Sequence, residues 1–241
     1  MDTSTSLPPL DDTLLATSRY LETLTVLDDA SLRGPSVLPG WSRAHVVAHV
    51  SRNADAFTRV LEQASAGLPA AMYPSAAARD ADIEETVRRL DPGALVEDAH
   101  RSSARFEEAA RACTAGPDAC FARVDGAADT NPLADLVFRR RAEVEIHHSD
   151  LDVGYPPAGW PADFSVTLVG QRQDELSRLP HGCPSLVLSS VDVPGLWKLG
   201  VGQGPEVSGA VGDLAWWLVG RGGGRGLTCS AGALPTLERW R

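Results

Sequence analysis

Two stretches of the sequence place ionisable side chains among apolar residues that otherwise indicate buried helices. The first, "AEVEIHHSDL" (residues 142–151), contains Glu143 and His147, which are separated by one helical turn. The second, "SRAHVVAHVSRNADAF" (residues 42–57), contains His49 and Asn53. Isolated charges on a buried helix face are costly to desolvate, so they must be paired, hydrogen-bonded or bound to a metal ion.

Helical geometry favours a shared metal ion. At about 100° per residue, Arg140, Glu143 and His147 fall on the same face as the apolar residues of their helix. Side chains one turn apart, such as Glu143 and His147, can reach the same point. On the other helix, His49 lies at the edge of the apolar stripe and Asn53 lies within it. Two imidazoles and a carboxylate are the ligand set of a catalytic zinc site with one open position, so we expect His49, Glu143 and His147 to bind a metal.

Simpler interpretations exist both for the spacing of Glu143 and His147 and for the remaining histidines. A glutamate and a histidine four residues apart are often only a pair on a helix surface. No glutamate follows His45, so the H-E-x-x-H signature of zinc proteases is absent, and His45 is expected to be partly exposed. His148 points about 100° away from its neighbour and is expected either to support the metal ligands or to have a purely structural role. We expect His100 and His181 on the surface.

The helices that carry these residues belong to a predicted helical domain. Apolar spacing, caps and helix breakers predict helices over residues 11–29, 42–67, a part of 73–93, 91–113 and 131–152. Four of these are long and have short connections. They predict an up-and-down four-helix bundle with its site between facing helices.

A change of pattern after Trp160 predicts a second, small α/β domain. A helix over residues 164–179 is followed by the short apolar runs "SLVLSSV", "GLWKLGV" and "PEVSG", which indicate strands. A short helix over residues 210–221 and a last strand in "GLTCSAG" complete the pattern. The predicted fold class is therefore α plus α/β, with domains 1–158 and 159–241, and no Walker loop or GxGxxG fingerprint is present.

Composition excludes several classes of partner. The 241 residues carry a formal net charge of -10, which argues against nucleic acid and anionic membranes as partners. No apolar run approaches the roughly 20 residues that span a bilayer, and the start "MDTSTSLPPLDD" is unlike a signal peptide, so we expect a cytoplasmic protein.

The four cysteines show no C-x-x-C spacing and are expected to be reduced. A monomer or small homo-oligomer is expected.

Four motifs in order carry a resemblance to a known family. The stretches "GWSRAHVVAHVSRNADAF", "MYPSAAARDADIE", "EVEIHHSDLDVGY" and "LAWWLVGR" resemble the mycothiol-dependent maleylpyruvate isomerase family of DinB-like metalloproteins. The resemblance extends from about Trp41 to the C-terminus. It implies a DinB-like four-helix bundle, zinc bound by His49, Glu143 and His147, mycothiol as the thiol cofactor, and a C-terminal α/β domain that closes over the cleft.

The resemblance also implies a reaction. Zinc would lower the pKa of the cofactor thiol, and the thiolate would add reversibly to the double bond of maleylpyruvate. Rotation about the resulting single bond and elimination would give fumarylpyruvate. The dianionic substrate requires guanidinium groups, for which the resemblance implies Arg79 and Arg221. Asn53 also matches the family and is expected in the cofactor pocket.

Other functions are compatible with the same residues. Ala142 stands where the family usually has an arginine, a departure that concerns the substrate rather than the metal ligands. A mycothiol S-transferase, or a thiol-exchange enzyme acting on another electrophile, is one alternative. The second is a non-catalytic zinc-binding sensor, in which His148 or His45 supplies a fourth ligand. Arg79 could instead lie on a solvated helix face, and Arg221 could complement a helix dipole.

Overall fold

The computed structural model describes residues 7–116, 118–179 and 182–237. The chain divides into two compact units between Val153 and Gly154, and in both units the described residues form helices and a small sheet. The predicted combination of α and α/β structure is confirmed in this coarse form. The predicted domain boundary between residues 158 and 159 stays a prediction, because contacts alone do not show which segment folds independently.

The first unit contains six helices among its described residues. Two of them begin at caps that the sequence predicts: Ser42 accepts a hydrogen bond from the backbone N–H of His45, and Asp91 accepts one from that of Ala94. The helices are α1 (Asp11–Thr25), α2 (Asp29–Arg33), α3 (Arg43–Ser65), α4 (Ala76–Arg89), α5 (Pro92–Ala112) and α6 (Leu136–Asp150). The predicted helix over residues 11–29 is thus two helices, since α1 ends at Thr25 and the side chain of Asp28 caps α2.

The four long helices of this unit make a closed ring of contacts. Helix α3 packs against α5 and α6, and α1 packs against the same two helices. Buried apolar side chains, among them Val46, Leu95 and Val144, fill the space between them. The two helices that carry the candidate metal ligands, α3 and α6, are therefore direct neighbours.

A small sheet within the first unit departs from the prediction of an all-helical domain. Strands β1 (Ala70–Tyr73), β2 (Cys120–Val124) and β3 (Thr130–Pro132) pair in that order, β1 with β2 parallel and β2 with β3 antiparallel. The prediction that a helix begins near residue 131 is therefore wrong. Helix α6 begins at Leu136, after a 3-10 turn over Leu133–Asp135. Strands this short carry too few residues to show a periodicity, and their pairing is decided by distant segments.

The second unit contains a four-stranded sheet and two longer helices among its described residues. They are α7 (Ala162–Ser177), β4 (Leu186–Ser190), β5 (Leu196–Leu199), β6 (Glu206–Gly209), α8 (Val211–Leu218) and β7 (Thr228–Cys229). The strand order is β5-β4-β6-β7, and α8 packs against α7, β4 and β6. His181, which was predicted to lie on the surface, is outside the described residues. Among the helices described, none has the length and apolar character that a membrane span requires.

Candidate metal centre

Helices α3 and α6 bring three side chains to one point. Nε2 of His49 lies 3.0 Å from Oε2 of Glu143, and Nε2 of His147 lies 3.3 Å from the same oxygen. One ligand atom from each residue lies within 4.8 Å of the others. The structure thus brings together the three residues that the sequence predicts as ligands.

The donor set and its spacing fit a divalent cation such as zinc. Ligand atoms about 2.1 Å from a tetrahedral zinc ion lie about 3.4 Å apart, close to the separations found here. Both histidines are only 4% exposed, whereas 15% of the Glu143 side chain is exposed. The site is therefore buried on the side of the imidazoles, and solvent reaches it on the side of the carboxylate.

Two of the ligands have the protonation states that a metal requires. Burial, together with the nearby His147, lowers the pKa of His49 to about 4. Burial raises the pKa of Glu143, but hydrogen bonds from the two imidazoles outweigh it and hold that pKa well below its ordinary value. A neutral imidazole and an ionised carboxylate at neutral pH are both ready to coordinate.

Asp150 is a residue of the centre that the sequence reasoning missed. Its Oδ2 lies 2.8 Å from Nδ1 of His147, and its side chain is fully buried. Burial lowers the pKa of His147, but the hydrogen bonds that its imidazole donates to Asp150 and Glu143 outweigh this and raise it. A carboxylate in this position fixes the proton on Nδ1 and turns Nε2 towards the metal position. Its spacing of three residues from His147 on one helix could have identified it.

Arg79 lies beside the other imidazole. Its Nη2 is 3.3 Å from Nδ1 of His49, and its Nη1 donates to Asp80 at 2.8 Å. Only 22% of the side chain is exposed. Arg79 therefore lies at the site rather than on a solvated face of α4. The indole of Trp41 also lies near this imidazole, with 5.6 Å between the ring centroids of Trp41 and His49.

Asn53 lies one turn after His49 on α3 and faces the interior. It is 1% exposed, and its Oδ1 accepts a hydrogen bond from Nη1 of Arg140 at 2.9 Å. Tyr73, at the end of β1, lies beside it: burial raises the pKa of this tyrosine, the charge of Glu143 raises it further, and a hydrogen bond with Asn53 acts in the opposite direction. Tyr73 was missed because β1, with four residues, is too short to show a strand periodicity in the sequence.

Comparison with known proteins identifies the family. The model of the mycothiol maleylpyruvate isomerase N-terminal domain matches residues 14–152, which include all three candidate ligands. The chain belongs to this family.

Solved structures extend the similarity beyond the range of the family model. The crystal structure of the mycothiol-dependent maleylpyruvate isomerase is 29% identical, with a TM-score of 0.88, and the match covers 100% of both chains. A histidine-to-alanine mutant of that isomerase matches with 29% identity, a TM-score of 0.87 and the same coverage. No curated protein sequence matches the chain. The predicted family, and the prediction of an enzyme resembling this isomerase, are confirmed.

Arg221 belongs to the second unit of this maleylpyruvate isomerase family member. It is the second arginine predicted to bind a substrate carboxylate. It follows α8, and its Nη1 donates to the carbonyl of Val219 at 3.0 Å. Together with Trp217 and Leu234 it lines a cavity of about 270 Å³. The side chain is thus held near its own helix end, and its role towards a substrate stays a prediction.

Two other histidines of the maleylpyruvate isomerase N-terminal region, His45 and His148, have partners of their own. Nδ1 of His45 accepts a hydrogen bond from the backbone N–H of Ser42 at 3.2 Å and so helps to cap α3. Nε2 of His148 lies 2.8 Å from Oγ1 of Thr23. His100 is exposed on α5. Neither His45 nor His148 is therefore among the three clustered ligands.

Proposed function

We propose that this protein is a zinc- and thiol-dependent cis-trans isomerase that converts maleylpyruvate to fumarylpyruvate, with mycothiol as the thiol. The observation that carries the proposal is the cluster of His49, Glu143 and His147 within a chain of the mycothiol maleylpyruvate isomerase family. The closed ring of contacts among α1, α3, α5 and α6 supports a DinB-like up-and-down four-helix bundle as its scaffold. We keep 1–158 and 159–241 as its proposed domains.

In this proposal each residue of the centre has a defined task. His49, Glu143 and His147 would hold the zinc ion, and Asp150 would orient His147. When bound, zinc would lower the pKa of the cofactor thiol, and the resulting thiolate would be the nucleophile for reversible addition to the substrate double bond, after which the former double bond could rotate.

The arginines bind the substrate carboxylates. With Nε2 of His49 as a ligand, the proton of this neutral imidazole is on Nδ1, which then cannot accept a hydrogen bond from Arg79. The guanidinium of Arg79 is then available to a substrate carboxylate beside the metal. We assign the second carboxylate to Arg221 and a place in the cofactor pocket to Asn53.

Metal analysis combined with an activity screen tests this proposal. We expect about one zinc ion per chain. We also expect the protein to isomerise maleylpyruvate when mycothiol is present, and to be inactive with glutathione or with no thiol. If the protein consumes a neutral electrophile with mycothiol and leaves maleylpyruvate unchanged, the isomerase assignment is wrong and the S-transferase replaces it.

A thiol titration of cobalt-substituted protein tests whether the metal centre is catalytic. A new sulfur-to-metal charge-transfer band supports the enzyme, because it requires an open coordination position. Its absence supports a non-catalytic sensor with a closed site. The positions of His45 and His148, each bonded to another group, argue against either as the fourth ligand of such a closed site.

A further inference from the structure

Arg140 is a fully buried cation at the level of the metal centre. Its Nη1 donates to the carbonyl of Val50 and to Oδ1 of Asn53, both at 2.9 Å, so that this α6 side chain is bonded twice to α3. Its Cζ atom lies 5.7 Å from the ring centroid of Phe106 on α5. The side chain is 0% exposed. Arg140 therefore connects three of the four long helices at a single point.

The groups that form these hydrogen bonds lie close in sequence to the candidate ligands on both helices, α3 and α6. On α6, Arg140 precedes Glu143 by three residues, and the two share a helix face. On α3, the carbonyl that it binds belongs to the residue after His49, and Asn53 is one turn further on. The link therefore joins the two helices at the positions from which ligands project.

Stability alone does not account for this buried charge. Burial lowers the pKa of Arg140 to about 10, and the negative charge of Glu143 is the largest effect that opposes it. No described residue accepts a hydrogen bond from its Nε or Nη2. Replacing buried charges by apolar residues of similar volume is often neutral or stabilising, so a charge in this position indicates another role.

We propose that Arg140 is a positioning residue of the metal centre, whose contacts with Val50 and Asn53 fix the separation and register of α3 and α6. The proposal rests on the metal site proposed above. A guanidinium suits this task because its planar group holds two acceptors in a fixed geometry. Arg140 acts through the helices that carry His49 and Glu143, rather than as a ligand itself.

The test compares Arg140→Met with Arg141→Met as a matched control. Arg141 is the next residue on α6 and is also buried, but its Nη1 reaches Asp12 of α1 at 3.3 Å. Zinc affinity is measured by competition with a chelator. We expect Arg140→Met to weaken binding by about 10- to 100-fold, the range found when residues that orient metal ligands are lost. Arg141→Met is expected to retain wild-type affinity, and equal losses in the two variants would overturn the proposal.

Two further variants separate positioning from folding. Arg140→Lys keeps the charge without the planar group, and Asn53→Ala removes one acceptor while the arginine stays. We expect an intermediate affinity from each, together with altered ligand-field bands of bound cobalt, a change that a loss of global stability alone does not produce. Wild-type affinity and spectra in both would refute the role of Arg140, even if Arg140→Met does not fold. A wild-type protein that binds no metal would instead overturn the proposed function.

Discussion

Asp150 and His147 form a buried contact in which Oδ2 of the carboxylate lies 2.8 Å from Nδ1 of the imidazole. The opposite nitrogen of this ring faces Glu143. The other imidazole of the centre is in a different position, because its Nδ1 faces the guanidinium of Arg79. One candidate ligand is thus oriented by an anion, whereas the other lies beside a cation.

This contact predicts a loss of metal affinity in Asp150→Asn. The amide cannot make the charge-assisted hydrogen bond that fixes the proton of His147, so we expect zinc binding to weaken by about 10-fold or more. Asp152→Asn is the matched control, since Asp152 is exposed and its φ of 56° is one that asparagine tolerates. Chelator competition measures both, and wild-type affinity in Asp150→Asn would contradict the assignment.

Removal of either imidazole is expected to empty the centre. His49→Ala and His147→Ala each leave only two of the three clustered donors, so zinc content of the purified protein should fall close to zero. His100→Ala, at an exposed position of α5, should retain the metal. Elemental analysis measures the zinc content of the three purified variants, and equal zinc content in all of them would refute the ligand set.

The two arginines are expected to matter for a charged substrate only. Arg79→Ala and Arg221→Ala should each lower kcat/KM for maleylpyruvate by at least about 10-fold, because each removes a cation to which the proposed function assigns a substrate carboxylate. Turnover of a neutral electrophile with the same thiol should change much less. Arg88→Ala, whose side chain is 74% exposed, is the control. Equal losses on both substrates would argue against a role as carboxylate clamps.

Stability of the metal-free protein is expected to fall in mild acid. Burial lowers the pKa of His148 to about 4. Burial and the charge of His147 together lower the pKa of His49 to about 4 as well, whereas a histidine in an unfolded chain has a pKa near 6.5. Between these values the unfolded chain binds protons that the folded chain excludes, so the free energy of unfolding decreases as pH falls from about 6.5 to about 4. The raised pKa of His147 acts oppositely, since its stabilisation is lost as pH rises through its folded value.

The variant His148→Gln measures this effect away from the candidate ligands. It should flatten the acid dependence, and the loss of stability between about pH 6.5 and pH 4 should shrink by on the order of 2 kcal/mol. Urea unfolding in the presence of a chelator, followed across this range, is the measurement. An unchanged slope would show that His148 does not exclude its proton in the folded state.

A buried ion pair between α1 and α6 is expected to stabilise the first unit. Nη2 of Arg19 lies 2.7 Å from Oε1 of Glu145, whose side chain is 0% exposed. Arg19→Met removes a cationic partner of this buried carboxylate, so the free energy of unfolding should fall by roughly 3 kcal/mol. Arg88→Met breaks an exposed pair with Glu85 and should cost less than about 1 kcal/mol. Similar urea midpoints for the two variants would contradict this difference.

Patterns within single segments of the sequence were sufficient to predict the local features of this centre. The four-residue spacing of Glu143 and His147 sets them on one helix face, and the caps at Ser42 and Asp91 start α3 and α5 where the sequence predicts. The position of His49 at the edge of the apolar stripe of its helix was also predicted from the sequence. These features depend only on the geometry of a helix over a few residues. The spacing of residue types along the sequence reflects that geometry directly.

The way in which these local features come together depends on how distant segments pack. His49 and Glu143 are 94 positions apart in sequence, and no helical projection gives the distance between their atoms. The approach of Arg79 to His49 and the double contact of Arg140 with α3 likewise depend on how helices pack. In the sheet that carries Tyr73, β1 pairs with β2, so that Tyr73 lies opposite Val124, 51 positions later in the sequence. Such contacts arise from the burial of side chains of several distant segments at once, and a pattern within any one segment does not contain them.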